Sequence, residues 1–184
     1  MNADDTALLV VDVQERIVKA MPDAAVLVWN IRRLIDGAKI LGVPATATEQ
    51  APDKLGPTVP PLATRLDSPL SKMAFSCCER TDLLPPWIDA GIHRVLLCGV
   101  ETHVCVLQTA MDLMSAGLRV YAAVDALASR HAIDHETALR RMDSGGVTLT
   151  TCEAALTEWA VAAGTPKFKQ ISALAKESAP SKLH

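Results

Sequence analysis

The sequence predicts an α/β fold, in which an open, mostly parallel sheet is covered by helices on both faces. Short apolar runs of strand length alternate with amphipathic helical segments along the whole chain. Several runs are apolar throughout, as strands of a parallel sheet are when both faces are buried. Each connection is also long enough for a right-handed crossover. With 184 residues, 49% of them hydrophobic and 21% charged, the chain is expected to fold as one domain.

The first elements are a strand, a helix and a second strand. Residues 7–13 (ALLVVDV) form a continuous apolar run that ends near an aspartate, which is typical of a buried parallel strand. A helix is expected over residues 24–41, because apolar side chains recur every three or four positions and Gly42 follows as a stop. The second strand is expected over residues 43–48.

A long loop precedes the third strand. Residues 51–69 are rich in proline and have little periodicity, so they predict a loop that could serve as a lid or an assembly arm. The third strand is expected to end at residues 71–75, which include Lys72. A short helix follows over 81–90, where two adjacent prolines obscure its start.

The second half of the chain repeats the strand–helix alternation. Residues 94–100 (RVLLCGV) predict a buried strand that leads into a helix over 102–116. The remaining elements are expected as strands at 119–124 and 147–151, helices at 134–143 and 153–163, and a flexible tail from about 172 to 184.

Composition and charge exclude several classes of partner and location. The net charge is −3, the sequence pI is near 5.9, and Lys and Arg do not cluster, so neither nucleic acid nor an anionic membrane is an expected partner. No apolar run approaches the roughly 20 residues needed to span a bilayer. The five cysteines form no Cys-x-x-Cys pair, which favours the cytoplasm. Residues 181–183 (SKL) would be a peroxisomal address only at the C-terminus, where His184 follows them.

Polar residues that follow strands are the candidates for chemistry, because the strands of a parallel sheet end at one edge and ligands bind there. This rule selects Asp12, Lys72, the turn at 99–105, and Asp125. Taken singly, each has a structural explanation: strand-end aspartates often cap the next turn, and lysines are usually solvated.

Cys105 is the candidate nucleophile, since it lies in the first turn after a predicted strand. A buried cysteine at such a position is more often a packing residue. An unperturbed thiol is only about 3% ionised at pH 7, and a helix dipole changes its pKa by less than about one unit. A nearby cation or base is therefore needed. Asp12 could accept the thiol proton, and Lys72 could keep that carboxylate ionised and stabilise the sulfur or a developing oxyanion.

Longer motifs resemble the isochorismatase-like cysteine hydrolases, in particular short single-domain members related to the nicotinamidases. The motifs are LLVVDVQE (8–15), KMAFSCCERTDL (72–83), LLCGVETHVCVLQTAMDLMSAG (96–117), VDALASR (124–130) and GVTLTTCEAAL (146–156). The resemblance covers about residues 5–160, and G-V-E-T-H-V-C after a strand is its most specific element.

The resemblance implies a three-layer α/β/α sandwich with a six-stranded sheet and an Asp-Lys-Cys triad at Asp12, Lys72 and Cys105. It also implies a cis peptide bond between Val100 and Glu101, and an oxyanion hole formed by the backbone N–H groups of Glu101 and Cys105. Members of the family are generally homo-oligomers, and no cofactor is expected.

Two departures from related enzymes narrow the expected activity. The nicotinamidases carry an Asp-x-His metal motif after the second strand, whereas residues 45–50 here (ATATEQ) contain no histidine. The siderophore-pathway isochorismatases have a small residue where this chain has Cys105. A thiol favours acyl transfer, and no metal site is expected. His131 and His135 have the i, i+4 spacing of metal ligands, but no third ligand is evident.

The sequence therefore predicts a hydrolase that cleaves an amide-type C–N bond of a small molecule through a cysteine acyl-enzyme. Residues expected at the pocket, by their positions at strand ends or beside the nucleophile turn, are Glu49, Gln50, Phe75, Thr102 and His103. Two alternatives are a catalytically silent member that acts as a binding or assembly module, and a nicotinamidase.

Overall fold

The computed structural model describes residues 1–180, and its centre is a six-stranded parallel sheet. The strands are β1 (Thr6–Val11), β2 (Ala45–Gln50), β3 (Leu70–Lys72), β4 (Arg94–Val100), β5 (Arg119–Ala128) and β6 (Thr148–Thr150). Their order across the sheet is β3-β2-β1-β4-β5-β6, and every pairing is parallel. The predicted fold class is confirmed.

Helices cover both faces of the sheet. They are α1 (Glu15–Val18), α2 (Ala24–Leu41), α3 (Pro52–Leu55), α4 (Pro60–Ala63), α5 (Leu84–Asp89), α6 (Leu107–Ser115), α7 (Ala132–Ser144), α8 (Cys152–Ala160) and α9 (Pro166–Ala175). Short 3₁₀ segments lie at Ala3–Asp5 and Cys77–Glu79, and a π-helical turn spans Thr102–Val106. Helices α2, α8 and α9 contribute to the core on one face, and α5, α6 and α7 to the core on the other.

The alternating side chains of β1 supply both cores. All six residues of this strand are buried. Leu8 and Val10 pack against the layer of α2, whereas Ala7 and Leu9 pack against the layer of α6. Burial on both faces explains why this strand is apolar throughout.

The prediction of a loop over residues 51–69 was wrong in part, because this segment contains the four-residue helices α3 and α4. Both begin with proline, whose fixed φ and missing N–H suit the first turn of a helix. Val59 and Leu62 are buried in the core beside α2, so the apolar residues of this segment pack against their own domain.

Two further differences concern the helices near the C-terminus and the nucleophile. The first residues of the tail expected to be flexible from 172 are helical, because α9 continues to Ala175 and buries Ile171 and Leu174. The single helix expected over 102–116 is a π-helical turn followed by α6. The Ser-Lys-Leu sequence at 181–183 and His184 lie outside the described residues. Within residues 1–180, no helix is long and apolar enough to cross a membrane.

The carboxyl ends of the strands form the edge at which the candidate residues meet. The chain order reverses between β1 and β4, which are neighbours at the centre of the sheet. Val11 pairs with Gly99, so the segments that follow these two strands start side by side. The peptide bond between Val100 and Glu101 is cis. In open α/β sheets, this switch point is where ligands bind.

Gly99 is required by the close approach of β4 to β1. Its φ is +120°, and a Cβ atom there would lie 2.1 Å from the carbonyl oxygen of Val11. We expect Gly99→Ala to lower the free energy of unfolding by about 3 kcal/mol, because both the conformation and the space exclude a side chain.

The matched control for this prediction is Gly42→Ala. Gly42 also has a positive φ (+84°), but a Cβ there would meet nothing within 4 Å. This change should therefore cost only about 1 kcal/mol. Urea unfolding followed by circular dichroism compares the two variants. Equal losses would show that the contact with Val11 is unimportant.

Candidate active site

Asp12 is a fully buried carboxylate at the end of β1. Its backbone is in the left-handed region (φ 52°), which aspartate tolerates better than most residues. The hydroxyl of Thr48 donates a hydrogen bond of 2.8 Å to its Oδ1, and the Lys72 ammonium donates one of 2.7 Å to its Oδ2. Because both oxygens are held, the carboxylate has one fixed orientation.

Lys72 ends β3 and is 4% exposed, so its charge is almost completely removed from water. Besides Asp12, its Nζ has three acceptors, which are Oε1 of Gln50 at 2.8 Å and the carbonyl oxygens of Phe75 at 3.0 Å and Ala74 at 3.2 Å. Burial is the largest single effect and lowers the pKa of the Lys72 ammonium, but the charge and hydrogen bond of Asp12, together with Cys77 and Cys105, outweigh it and leave this pKa above its ordinary value. Its three protons are all engaged, so Lys72 is an anchor for Asp12.

The Cys105 thiol lies beside the Asp12 carboxylate, which raises the pKa of the thiol. Cys105 belongs to the π-helical turn after β4 and is 6% exposed. Burial raises its pKa well above the ordinary value, and the charge of Asp12 raises it further, whereas the Lys72 ammonium opposes both. The resting thiol is therefore protonated, and it needs a base to take its proton before it can act as a nucleophile.

A cavity of about 290 Å³ opens beside Cys105. Gln50 and Phe75, two of the residues expected at the pocket, line it together with Val100 and Glu101. Gln50 also accepts the hydrogen bond from Lys72, so it connects the cavity wall to the buried ion pair. Asp12, Lys72, Cys105, Gln50 and Phe75 are thus brought together at one edge of the sheet.

Three of the expected pocket residues do not line this cavity. The carboxylate of Glu49 accepts hydrogen bonds from the backbone N–H and the hydroxyl of Thr58, at 2.6 and 2.7 Å, and so fastens the segment before α4. Thr102 is fully buried and bonds through its hydroxyl to His135, and the His103 ring bonds to Ser129. Their proximity in sequence to Gln50 and Cys105 placed them near the site, but their side chains point to neighbouring elements.

Asp125 and the two histidines have structural positions. The Asp125 carboxylate accepts the backbone N–H of Cys152 at 2.8 Å, which caps the start of α8. His135 bonds to Thr102, and His131 is the residue that precedes α7. Within residues 1–180, no three His, Cys, Asp or Glu side chains are placed to hold a metal ion.

Sequence reasoning missed two arginines of the cavity wall, Arg16 and Arg130. Arg16 lies in α1, four residues after Asp12, and Arg130 lies just beyond β5. Nε of Arg130 lies 3.1 Å from both carboxylate oxygens of Glu101. Arg16 directly follows the motif at 8–15, and Arg130 is the last residue of the motif at 124–130. Their place in or beside these motifs is the sequence feature that could have identified them.

Lys72→Met is expected to destabilise the fold strongly. The change removes the cation from a buried pair and leaves the Asp12 carboxylate without a counter-charge. Breaking a buried pair in this way costs about 3–5 kcal/mol. Urea unfolding measures the loss. The control is Asp82→Asn, which breaks the exposed Arg80–Asp82 pair and should leave the unfolding curve unchanged. A shift as small as that of the control would contradict the role assigned to Lys72.

Comparisons with known proteins identify the family to which this chain is similar. A family model described as the isochorismatase domain matches residues 6–154. Isochorismatase domain-containing protein 2A of Mus musculus is 37% identical over 179 residues, which cover 96% of this chain and 85% of that protein. A structure of the MAR1 ribonuclease from Caenorhabditis elegans has a TM-score of 0.90 and 38% identity, and covers 99% of this chain and 95% of its own.

A more distant structure shares the fold. The YcaC gene product of Escherichia coli, described as an octameric hydrolase of unknown specificity, has a TM-score of 0.87 and 23% identity. The match covers 95% of this chain and 89% of that one.

Proposed function

Because this chain belongs to the isochorismatase family of hydrolases, we propose that it hydrolyses a C–N bond of a small amide through an acyl-enzyme on Cys105. The observation that carries the proposal is the position of the Cys105 thiol beside the Asp12 carboxylate, which Lys72 and Thr48 hold in place. A nucleophile, its base and the group that orients the base are the parts that covalent catalysis requires.

The first half of the reaction forms the acyl-enzyme. The substrate carbonyl enters the cavity, and Sγ of Cys105 attacks its carbon while the thiol proton moves to Asp12. The backbone N–H groups of Glu101 and Cys105 stabilise the resulting oxyanion. Asp12 then gives the proton to the leaving nitrogen, the C–N bond breaks, and an amine departs from a thioester.

The second half releases the acid. A water molecule gives a proton to Asp12 and attacks the thioester carbonyl. The C–S bond breaks, the carboxylic acid leaves, and the proton returns from Asp12 to Sγ. Lys72 keeps Asp12 in the same orientation in both half-reactions through its hydrogen bond to Oδ2. This sequence needs no cofactor.

Ribonuclease activity is the rival that the comparisons raise, since the C. elegans relative carries that name. The charge of −3 and the small cavity beside Cys105 favour a small amide over RNA. A direct assay distinguishes the two activities: the protein and its Cys105→Ala variant are incubated with primary amides, ureido acids, nicotinamide and a single-stranded RNA.

Release of ammonia or amine by the unmodified protein alone would support the proposal. RNA cleavage that requires Cys105, with no amide cleaved, would replace it with the rival. Loss of every activity in the presence of EDTA would instead indicate a metal-dependent enzyme.

We also propose that the protein is a homo-oligomer. Met73 and Phe75 are 72% and 53% exposed, and two large apolar side chains so close in the chain favour contact with another subunit. Light scattering tests the proposal. A monomer at micromolar concentration would contradict it.

A further inference from the structure

Three charged side chains line the cavity beside Cys105, namely Arg16, Glu101 and Arg130. Two positive charges and one negative charge give the wall a formal charge of +1. Behind the wall, Asp12 and Lys72 neutralise each other. A cavity in a protein of net charge −3 is therefore positively charged.

The excess positive charge belongs to Arg16. Arg130 and Glu101 are paired, because Nε of Arg130 lies 3.1 Å from both carboxylate oxygens and its backbone N–H donates to Oε2 at 3.0 Å. Nη1 of Arg16 donates to the neutral carbonyl oxygen of Lys54 at 2.5 Å. Among residues 1–180, no carboxylate forms a salt bridge with Arg16.

The surroundings of Arg16 favour a carboxylate ligand. The bond to Lys54 holds the guanidinium, so less side-chain freedom is lost when it binds an anion. The other walls are mainly apolar, so within the cavity wall few other polar groups compete for the ligand. The apolar lining residues are Ile17, Ala20, Leu55, Phe75, Val100 and Val104.

We infer that the substrate is a small amide that also carries a carboxylate, and that Arg16 determines this specificity by pairing with it. The inference rests on the proposed function, because it takes Cys105 in the same cavity as the reacting group. A planar guanidinium with free N–H groups matches the two oxygens of a carboxylate.

Two alkylating reagents of nearly equal size test this selectivity. Iodoacetate carries a carboxylate and iodoacetamide is neutral, and both transfer a two-carbon group to a thiol with loss of iodide. The rate of each at Cys105 is measured by peptide mapping, and their ratio is divided by the same ratio for glutathione. We expect Arg16→Gln to lower this normalised ratio about 3- to 10-fold, through loss of one charge-assisted contact.

Lys19→Gln is the matched control. Lys19 is exposed and ends the same short helix, but it does not line the cavity. This change alters the net charge equally, and the normalised ratio should stay at the value of the unmodified protein.

The possible outcomes separate the inference from the proposed function. If Cys105 reacts with both reagents and Arg16→Gln leaves the normalised ratio unchanged, the inference about Arg16 is overturned, but the assignment of Cys105 as the nucleophile is retained. An equal fall in both variants would also overturn it, because net charge would then be the cause. If Cys105 of the folded protein reacts with neither reagent, the proposed function fails and the inference fails with it.

Discussion

Cys105→Ala is expected to abolish amide hydrolysis, with kcat/KM reduced by at least about 10⁴-fold. Removal of the nucleophile removes the thioester pathway, and Asp12 and the backbone donors alone can supply little of the rate. The measurement is release of amine from the best substrate of the amide panel. Circular dichroism shows whether the variant is folded, and the side chain lost is small.

Cys78→Ala is the control for the loss of a thiol. Cys78 is half-buried in the segment after β3 and does not line the cavity. This variant should keep full activity. Substantial turnover by Cys105→Ala would contradict nucleophilic catalysis, whatever the behaviour of the control.

Asp12→Asn is expected to lower kcat/KM by about 10²- to 10⁴-fold, which is the usual contribution of a positioned base. Asparagine has nearly the same shape and can still accept from Thr48, but it cannot take the thiol proton. An activity within a few-fold of the unmodified protein would show that Asp12 is not the base.

The pH dependence distinguishes a base from a purely structural carboxylate. In the unmodified protein, the thiol proton moves to Asp12 during attack, so kcat/KM should be level from about pH 6 to pH 8. The raised pKa of Cys105 keeps the thiol protonated throughout this range. Asp12→Asn must depend on the scarce free thiolate, and its residual activity should rise about tenfold per pH unit. Parallel profiles of the two proteins would contradict this role.

The apolar patterns predicted the strands and long helices well. The runs at β1 and β4 are buried on both faces, and the periodicity of α2 ends at Gly42, as expected. The short helices α3 and α4 gave no periodic signal, because four residues make barely one turn. Helix α9 did carry a readable start, since the Thr165 hydroxyl accepts the N–H of Phe168 and a proline follows it.

The site was partly accessible from the sequence. The rule that strands of a parallel sheet end at one edge selected Asp12, Lys72 and the turn that contains Cys105, and the comparisons confirm the family resemblance. The direction of side chains was not accessible. Glu49 and Gln50 are neighbours in β2 and point to opposite faces, so only one can line the cavity.

The cavity wall could not be assembled from the sequence either. Arg16 and Arg130 come from segments more than a hundred residues apart, and only the position of β1 beside β4 and β5 brings them to one cavity. The π-helical turn that holds Cys105 has the same apolar pattern as the helix that follows it, so the sequence did not separate them.

The most direct test of the account asks which cysteine of the folded protein reacts first with iodoacetamide near neutral pH. We expect Cys105 to react first, because Asp12 accepts its proton during attack. In Asp12→Asn, the reaction at Cys105 should be at least about tenfold slower. Cys78 is the natural competitor, since it is half-buried whereas the other four cysteines are buried. It should react more slowly than Cys105, because burial raises its pKa to about 11 and no carboxylate base is assigned to it. Reaction first at Cys78, with Cys105 modified only after unfolding, would contradict the claim that Asp12 and Lys72 make Cys105 a nucleophile.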